Sequence, residues 1–157
     1  MKSFFSLLLS LCCLSVTAQD SLSITLKQQM LKEWQRAKVY TQEYLNAMPA
    51  DKYDFHPVDS VRTFAQQMLH LAQSNAGLVS IGAGFRSPAA QVFYNPTFEK
   101  TPTIQNKDSV IYYVNTSYDI AIDAIKNLDF TKVGEVIMEF TGRQTNFNTT
   151  GLVIESL

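Results

Sequence analysis

Hydrophobic and polar positions follow a helical period along three long stretches of the chain. In the first stretch, residues 23–47, apolar and weakly polar side chains recur every three or four residues, and lysines and glutamates fill much of the remainder. The recurring positions are Leu26, Met30, Trp34, Ala37, Thr41, Tyr44, Leu45 and Met48. Pro49 ends the stretch, because proline disfavours helical geometry in the residue before it. We therefore predict a helix over residues 23–47, followed by a loop over residues 48–59.

The second amphipathic stretch follows Ser60, a residue type that favours the position just before a helix. We predict a helix from there to residues 81–82, where two nearby glycines supply the stop. The apolar positions cover one half of the helical wheel, and they are Val61, Phe64, Ala65, Met68, Leu69, Leu71, Ala72, Ala76, Leu78 and Val79. His70 lies on the polar half with Gln66 and Ser74, which predicts a solvated histidine, although a metal site in a surface cleft could also use this position.

Residues 83–106 have no helical period and contain three prolines. Such a connection is longer than those that usually join neighbouring helices, and it can carry the chain from one end of a bundle to the other. We therefore predict that residues 83–106 form a crossover between the second and third helices. The third helix is expected to open near Asn106 or Asp108, with a stripe at Val110, Val114, Ser117, Ala121, Ala124, Ile125 and Leu128 that is widened by Ile111, Tyr118 and Ile122.

The C-terminal region has a weaker pattern than the three helices. Residues 132–140 could form a short helix or a strand, and the polar stretch after them is consistent with a fourth helix that begins and then stops. Each of the three predicted helices has a broad apolar face, which needs neighbours on more than one side. We therefore predict an all-α four-helix bundle whose fourth helix is truncated or degenerate.

The N-terminal residues have the three-part pattern of an export signal. Lys2 supplies a positive charge, the run Phe4–Leu14 is apolar but too short to span a bilayer, and Val16-Thr17-Ala18 is a small-residue cleavage pattern. We expect a signal peptide over residues 1–18, one domain over residues 19–157, and an exported protein that is periplasmic or secreted. Both cysteines lie within the signal, so the mature chain can form no disulfide and no cysteine-ligated zinc site.

Charge and motifs narrow the functional classes further. The formal net charge is −1 and the chain has no basic run, which argues against nucleic acid and anionic lipid as partners. No nucleophile elbow, glycine-rich phosphate loop or Ser/His/Asp array is present. Asp119 and Asp123 share a face of the third helix, but such pairs are usually solvated. We expect His56 to be a loop residue and Asn75 a helix-surface amide, which leaves His70 as the main chemical candidate.

A resemblance to a known family rests on four segments, which are MLKEW at 30–34, EYLNAMPADKYDFHP at 43–57, VRTFAQQMLHLAQSN at 61–75 and SYDIAIDAIKNLD at 117–129. From residue 26 to about residue 130 the chain resembles the DinB/YfiT-like superfamily of metal-dependent proteins, especially its exported members from Bacteroidetes-like bacteria. The resemblance implies a four-helix bundle in up-down-down-up order. The crossover over residues 83–106, which we predict from the periodicity alone, agrees with that order of helices.

The resemblance also implies a divalent metal, commonly nickel or zinc. It would be held by one histidine on the second helix and by an H-x-x-x-H pair on the fourth, because residues four apart can reach one ion from one helix face. His70 occupies the first of these positions, but no histidine follows it. One histidine is too few for a stable zinc site. We therefore expect that two of the three implied ligands are absent and that this chain does not bind the metal stably.

Three functional hypotheses stay open at this point. The first is a DinB-like metal-dependent hydrolase or thiol transferase scaffold for an unknown small-molecule substrate, with His70 as one ligand of an incomplete metal site. The second is a metal-free exported helical protein with a binding or structural role. The third is a non-functional truncated remnant, whose open side is exposed or is covered in a homodimer. None of the three involves nucleic acid, or a membrane after the signal is removed.

Overall fold

A computed structural model describes the backbone of residues 2–129, 137–138 and 144–145 and the side chains of residues 24–129. The described chain forms three α-helices, which are α1 (Lys2–Ala47), α2 (Phe64–Gly82) and α3 (Lys107–Asn127). Short 3-10 helices lie at Ala50–Lys52, Pro88–Tyr94, Phe98–Lys100 and Pro102–Ile104. Two residue pairs, Ile137–Met138 (β1) and Gln144–Thr145 (β2), form a short antiparallel ladder in which Ile137 lies opposite Thr145.

These elements confirm a helical bundle. Within the described ranges, strands are confined to the β1–β2 ladder, so part of the segment 132–140 is a strand. The predicted fourth helix lies outside the described residues. No helix in the described part of the chain has the length and apolar character that crossing a membrane requires.

The first helix is longer than the periodicity predicted, because α1 is continuous from Lys2. Its end at Ala47, two residues before Pro49, agrees with the prediction. Trp34 and Leu45 are fully buried, whereas Tyr44, which we placed on the same stripe, is 69% exposed. At about 100° per residue, Leu45 points within about 20° of Trp34 and Tyr44 about 80° away from it, so only Leu45 faces the core.

The third helix lies between the other two and packs against both. Lys27 in the middle of α1 donates to the carbonyl of Leu128 after the end of α3, at 3.2 Å. Lys107 at the start of α3 donates to the carbonyl of Asn46 near the end of α1, at 3.0 Å. Residue numbers therefore rise along α1 in the direction in which they fall along α3, so these two helices are antiparallel.

In contrast, α2 and α3 run parallel. Tyr53 packs edge-on against Phe64 at the start of α2, and its ring also lies under the ammonium of Lys107 at the start of α3. Halfway along both helices, the Asn75 amide nitrogen lies 3.5 Å from the Ser117 hydroxyl. Both helices begin at the same end of the bundle, which confirms the predicted crossover and the up-down-down order of the three described helices.

The second helix begins at Phe64, so the predicted start near Ser60 is wrong by about one turn. Thr63 caps the helix, because its hydroxyl accepts from the N–H of Gln66 at 3.2 Å, and the Gln66 side chain accepts from the N–H of Thr63 at 3.1 Å. Val61 therefore lies before the helix and is 45% exposed rather than on its apolar face. The end at Gly82 agrees with the prediction.

The third helix follows the prediction closely. Asn106 is its N-cap, and the Asn106 side chain accepts from the N–H of Ser109 at 3.0 Å. Every predicted stripe position is buried, and of the three widening positions only Ile111 is half-buried. Asn75 departs from its prediction, since it is buried between α2 and α3 rather than on the surface. At about 100° per residue Asn75 falls on the apolar half of the α2 wheel, one turn from Ala72 and Val79, so the helical period already indicated this burial.

The two candidate caps of α2 can be separated by substitution. Thr63→Ala removes one half of the capping box and should lower the free energy of unfolding by about 1 kcal/mol. Ser60→Ala is the matched control and should change it by less than about 0.5 kcal/mol. Urea denaturation followed by circular dichroism measures both values. A larger loss for Ser60→Ala than for Thr63→Ala would show that the helix begins where the sequence pattern placed it.

Candidate functional site

The crossover, residues 83–106, folds back along α2 and is anchored to it. The Gln73 side chain donates to the carbonyls of Phe93 and Asn95, at 2.8 and 2.9 Å. Phe93 and Phe98 are buried, and they contact each other and Tyr113 of α3 in edge-to-face arrangements. The crossover therefore covers much of the side of α2 that the helical wheel assigned to solvent.

Through this packing the crossover brings Glu99 to His70. One carboxylate oxygen, Oε2, lies 2.6 Å from Nδ1 of His70, and the other, Oε1, lies 2.8 Å from Nε of Arg62. The side chain of Glu99 is only 9% exposed, while those of His70 and Arg62 are each 43% exposed. Two half-exposed donors therefore hold one nearly buried carboxylate, and each of them occupies one of its oxygens.

The charge state of Glu99 determines which atom of the pair donates. Burial alone raises the pKa of Glu99, but the hydrogen bonds from Arg62 and His70 and the charges of both residues outweigh it, so the pKa lies below its ordinary value. An ionised carboxylate can only accept hydrogen bonds, and Nδ1 of His70 is therefore the donor. Nε2 of His70 has no hydrogen-bond partner among the residues that the structure describes.

A cleft of about 300 Å³ lies beside His70, between α2 and the crossover. Its lining is mainly apolar and comprises Leu78 and Ile81 from α2 with Phe93, Tyr94 and Pro96 from the crossover, together with the polar residues Gln73 and Ser74. At Gly77, which also lines the cleft, an added Cβ would meet nothing within 4 Å. An apolar concavity of this size with a few polar groups is typical of a small-molecule site.

His70 itself differs from the solvated side chain that the helical wheel predicted. The crossover covers part of it, and the hydrogen bond from Nδ1 to Glu99 sets the orientation of the ring. A wheel describes only the environment that a helix makes for itself, so it could not include a carboxylate that arrives from a segment 29 residues later. His70 as a metal ligand stays a prediction.

The other candidate residues have ordinary roles in the structure. His56 lies in the loop, where its Nδ1 is 3.1 Å from the carbonyl of Val58, as expected of a loop histidine. Asp119 forms an ion pair with Lys38 of α1, and Asp123 pairs with a lysine one turn later on α3. Both aspartates are more than half exposed, which agrees with their interpretation as a solvated face.

The sequence interpretation did not include Arg62 or Glu99. Arg62 lies just before α2, His70 lies within it, and Glu99 lies in a 3-10 helix of the crossover, so the three share no motif or helical face. The only local signal is that Glu99 follows Phe98, an apolar residue, within a proline-containing segment without helical period. Such a pattern does not indicate where the segment packs.

These features define a helical-bundle protein with a histidine–carboxylate pair beside an apolar cleft. A family model described as the DinB superfamily matches residues 33–154. This is most of the chain, and the chain therefore belongs to the DinB superfamily. Comparison with curated proteins gives no significant match, and comparison with solved structures gives none either. The resemblance noted in the sequence is confirmed at the level of the superfamily.

The donors of this chain do not fit the three-histidine metal set that the resemblance implied. The chain has two histidines in total, and the second of them, His56, lies in the loop before α2. Among the described residues no group of three or more histidine, cysteine, aspartate or glutamate side chains could hold a metal ion. Among the described residues that line the cleft His70 is the one histidine, its Nδ1 is bound to Glu99, and both oxygens of Glu99 already accept hydrogen bonds.

The depressed pKa of Glu99 predicts a pH-dependent contribution to stability. Its ionised form stabilises the folded protein above the ordinary carboxyl pKa of 4.5, and this contribution is lost as the pH falls through the lower pKa of the folded state. Glu99→Gln should therefore lower the free energy of unfolding at neutral pH. The difference from the wild type should shrink as the solution is acidified below 4.5.

Urea denaturation at a series of pH values measures this difference. Asp123→Asn is the control, because the Asp123 side chain is 57% exposed and, within residues 24–129, forms its ion pair with Lys126 one turn away. Its free energy of unfolding should follow that of the wild type closely at every pH. If the Glu99→Gln difference stays constant on acidification, the carboxylate is not held in its ionised form by Arg62 and His70.

Proposed function

We propose that this DinB superfamily protein binds a small molecule in the cleft between α2 and the crossover, and that His70 makes the polar contact with it. The observation that carries the proposal is the position of His70 in the wall of an apolar cleft, with Nδ1 held by Glu99. A mainly apolar cleft with one oriented polar group is the usual form of a small-molecule site.

The walls of the cleft support a ligand with an apolar body. Leu78 is 42% exposed and Tyr94 is 37% exposed, although both are large side chains with mainly apolar surface. A ligand in the cleft would remove part of this surface from water, at about 25 cal/mol for each Å². The exposed ring of Tyr94 favours a flat ligand ring.

In this proposal the protein works without a stably bound divalent metal. The basis is the donor set, because one histidine nitrogen cannot replace the three histidines implied for the superfamily. The metal-dependent hydrolase or thiol transferase is the competing hypothesis, and one observation favours it. A carboxylate that accepts from the second nitrogen of a histidine is also the usual support of a metal ligand.

We further propose that the protein binds its ligand after export, in the periplasm or outside the cell. The support is the signal pattern of residues 1–18, with its cleavage site after Ala18. An exported binding protein without cysteines in its mature part depends on its core for stability, and the described helices provide such a core.

Filling the cleft from within tests the binding proposal. Gly77 is helical, its φ is not positive, and a side chain there extends into open space. Gly77→Leu should therefore weaken binding of aromatic probes such as toluene and naphthalene by about tenfold or more. The substitution should preserve or raise stability, because glycine costs about 1 kcal/mol within a helix. Ligand-observed NMR and thermal unfolding measure the two effects.

Gly77→Ala is the matched control, because it removes the same glycine but fills little of the cleft. It should retain most of the probe binding. Equal binding to the wild type and to Gly77→Leu would place the probes elsewhere, and the absence of any probe binding to the wild type would contradict the proposal.

Metal titration tests the part of the proposal that concerns the cofactor. We expect isothermal titration with Zn²⁺ or Ni²⁺ to give no one-to-one binding that depends on His70. His70→Ala and His56→Ala form the matched pair, since they remove the two histidines one at a time. Stoichiometric binding that His70→Ala abolishes and His56→Ala retains would favour the metal-dependent hypothesis instead.

A further inference from the structure

We propose that Glu99 fixes the tautomer of the neutral His70 ring, and that the cleft, while this ring is neutral, selects ligands that donate an O–H or N–H hydrogen bond to Nε2. The second half of this inference rests on the proposed function, since it requires a ligand in the cleft. The first half concerns the protein alone and can be tested without any ligand.

The tautomer of the neutral ring follows from the hydrogen bond between Nδ1 of His70 and the ionised carboxylate of Glu99. Its two oxygens are divided between Nε of Arg62 at 2.8 Å and Nδ1 of His70 at 2.6 Å. The guanidinium of Arg62 has donors only, so it can neither accept a hydrogen bond nor take a proton from Glu99. The ionised carboxylate has acceptors only, so the proton of the neutral imidazole stays on Nδ1. Nε2 therefore carries the lone pair.

The ligand class follows from the one ring nitrogen of His70 that is left without a partner among the described residues, because the hydroxyls of Ser74 and Tyr94 can either donate or accept and so exclude no ligand. Both hydrogen bonds recorded for the Gln73 amide nitrogen go to carbonyls of the crossover, so its donors are already used. Nε2 of His70 has no partner in the described part of the chain and acts as an acceptor in the neutral ring. A ligand that offers only acceptors would leave Nε2 unpaired when it covers the cleft, which costs binding free energy.

The shape of the cleft restricts the class further. Tyr94 offers exposed aromatic surface, and Leu78, Ile81 and Pro96 line the cleft with aliphatic surface. A flat ring with a single hydroxyl group is the simplest molecule that satisfies both the walls and Nε2. Phenol is therefore the matching probe, and anisole, in which a methyl group replaces the donor hydrogen, is its matched control.

One substitution should reverse the tautomer. In Glu99→Gln one oxygen becomes an NH₂ group, and because Arg62 and His70 lie against different oxygens of Glu99, the remaining carbonyl oxygen faces only one of them. Arg62 can only donate and therefore takes the oxygen, which turns the NH₂ group towards Nδ1 of His70. Nδ1 must then accept, and the proton moves to Nε2.

Long-range ¹H–¹⁵N NMR of the ¹⁵N-labelled full chain measures the tautomer directly. The spectra are recorded over a series of alkaline pH values, and the tautomer is read from those in which the ¹⁵N shifts identify a neutral ring. We expect His70 in the Nδ1–H form in the wild type and in the Nε2–H form in Glu99→Gln. His56 is the internal control, since its contacts are to Val58 and Asp59, and its signals should not change.

A wild-type His70 that carries its proton on Nε2 would overturn the inference, and so would a folded Glu99→Gln protein that keeps the wild-type tautomer. The wild-type spectrum decides the first point by itself, so the test does not depend on the folding of the variant.

Binding of the matched probes tests the second half. Phenol should bind the wild type about fivefold more tightly than anisole, as expected of one neutral hydrogen bond, and this preference should disappear in Glu99→Gln. If phenol, anisole and toluene bind the wild type equally, the binding cleft is supported and the selection by Nε2 is wrong. If none of the three binds, the proposed function fails together with the ligand class, while the tautomer measurement still decides the role of Glu99.

Discussion

Because α2 and α3 start at the same end of the bundle, the chain must return along the whole of α2 before α3 can begin. The 19 residues of α2 correspond to about 28 Å of helix, and a short turn cannot span this distance. The crossover does so, and it packs Phe93 and Phe98 against Tyr113 of α3 on its way. The parallel arrangement of two helices thus places an irregular segment over α2, and both the cleft and the histidine–carboxylate pair arise from that segment.

The same segment decides what His70 can do. On an isolated helix its ring would be free to rotate and its proton could occupy either nitrogen. In the folded protein Glu99 accepts from Nδ1, while Arg62 occupies the second oxygen and keeps the carboxylate ionised. The nearly buried carboxylate is therefore not an isolated charge, which would be costly, but is paired on both sides. One oriented imidazole nitrogen is left beside an apolar surface.

The helices could be predicted well where one side of a helix alone determines burial. Local chemistry determines the stripe of α3, its cap at Asn106 and the end of α1 before Pro49, and these were predicted correctly. The cap at Thr63 is also local, but it was missed because Ser60 nearby is a favoured cap type as well. The predictions for Tyr44 and Asn75 were wrong although the helical period carried the signal. At about 100° per residue Tyr44 points about 80° away from Trp34, and Asn75 falls on the apolar half of α2 with Ala72 and Val79.

Membership of the superfamily could be inferred from the residues around the turn and α2, and the family model confirms it over residues 33–154. The candidate site could be inferred only as far as His70. Its partners come from positions 62 and 99, on either side in the sequence, and no spacing rule connects them. The sequence by itself thus determined the helices, the need for a crossover and the shortage of histidines. Only the tertiary structure decided that the crossover carries a carboxylate to His70, because contacts between distant segments depend on how helices pack and not on the period of any one of them.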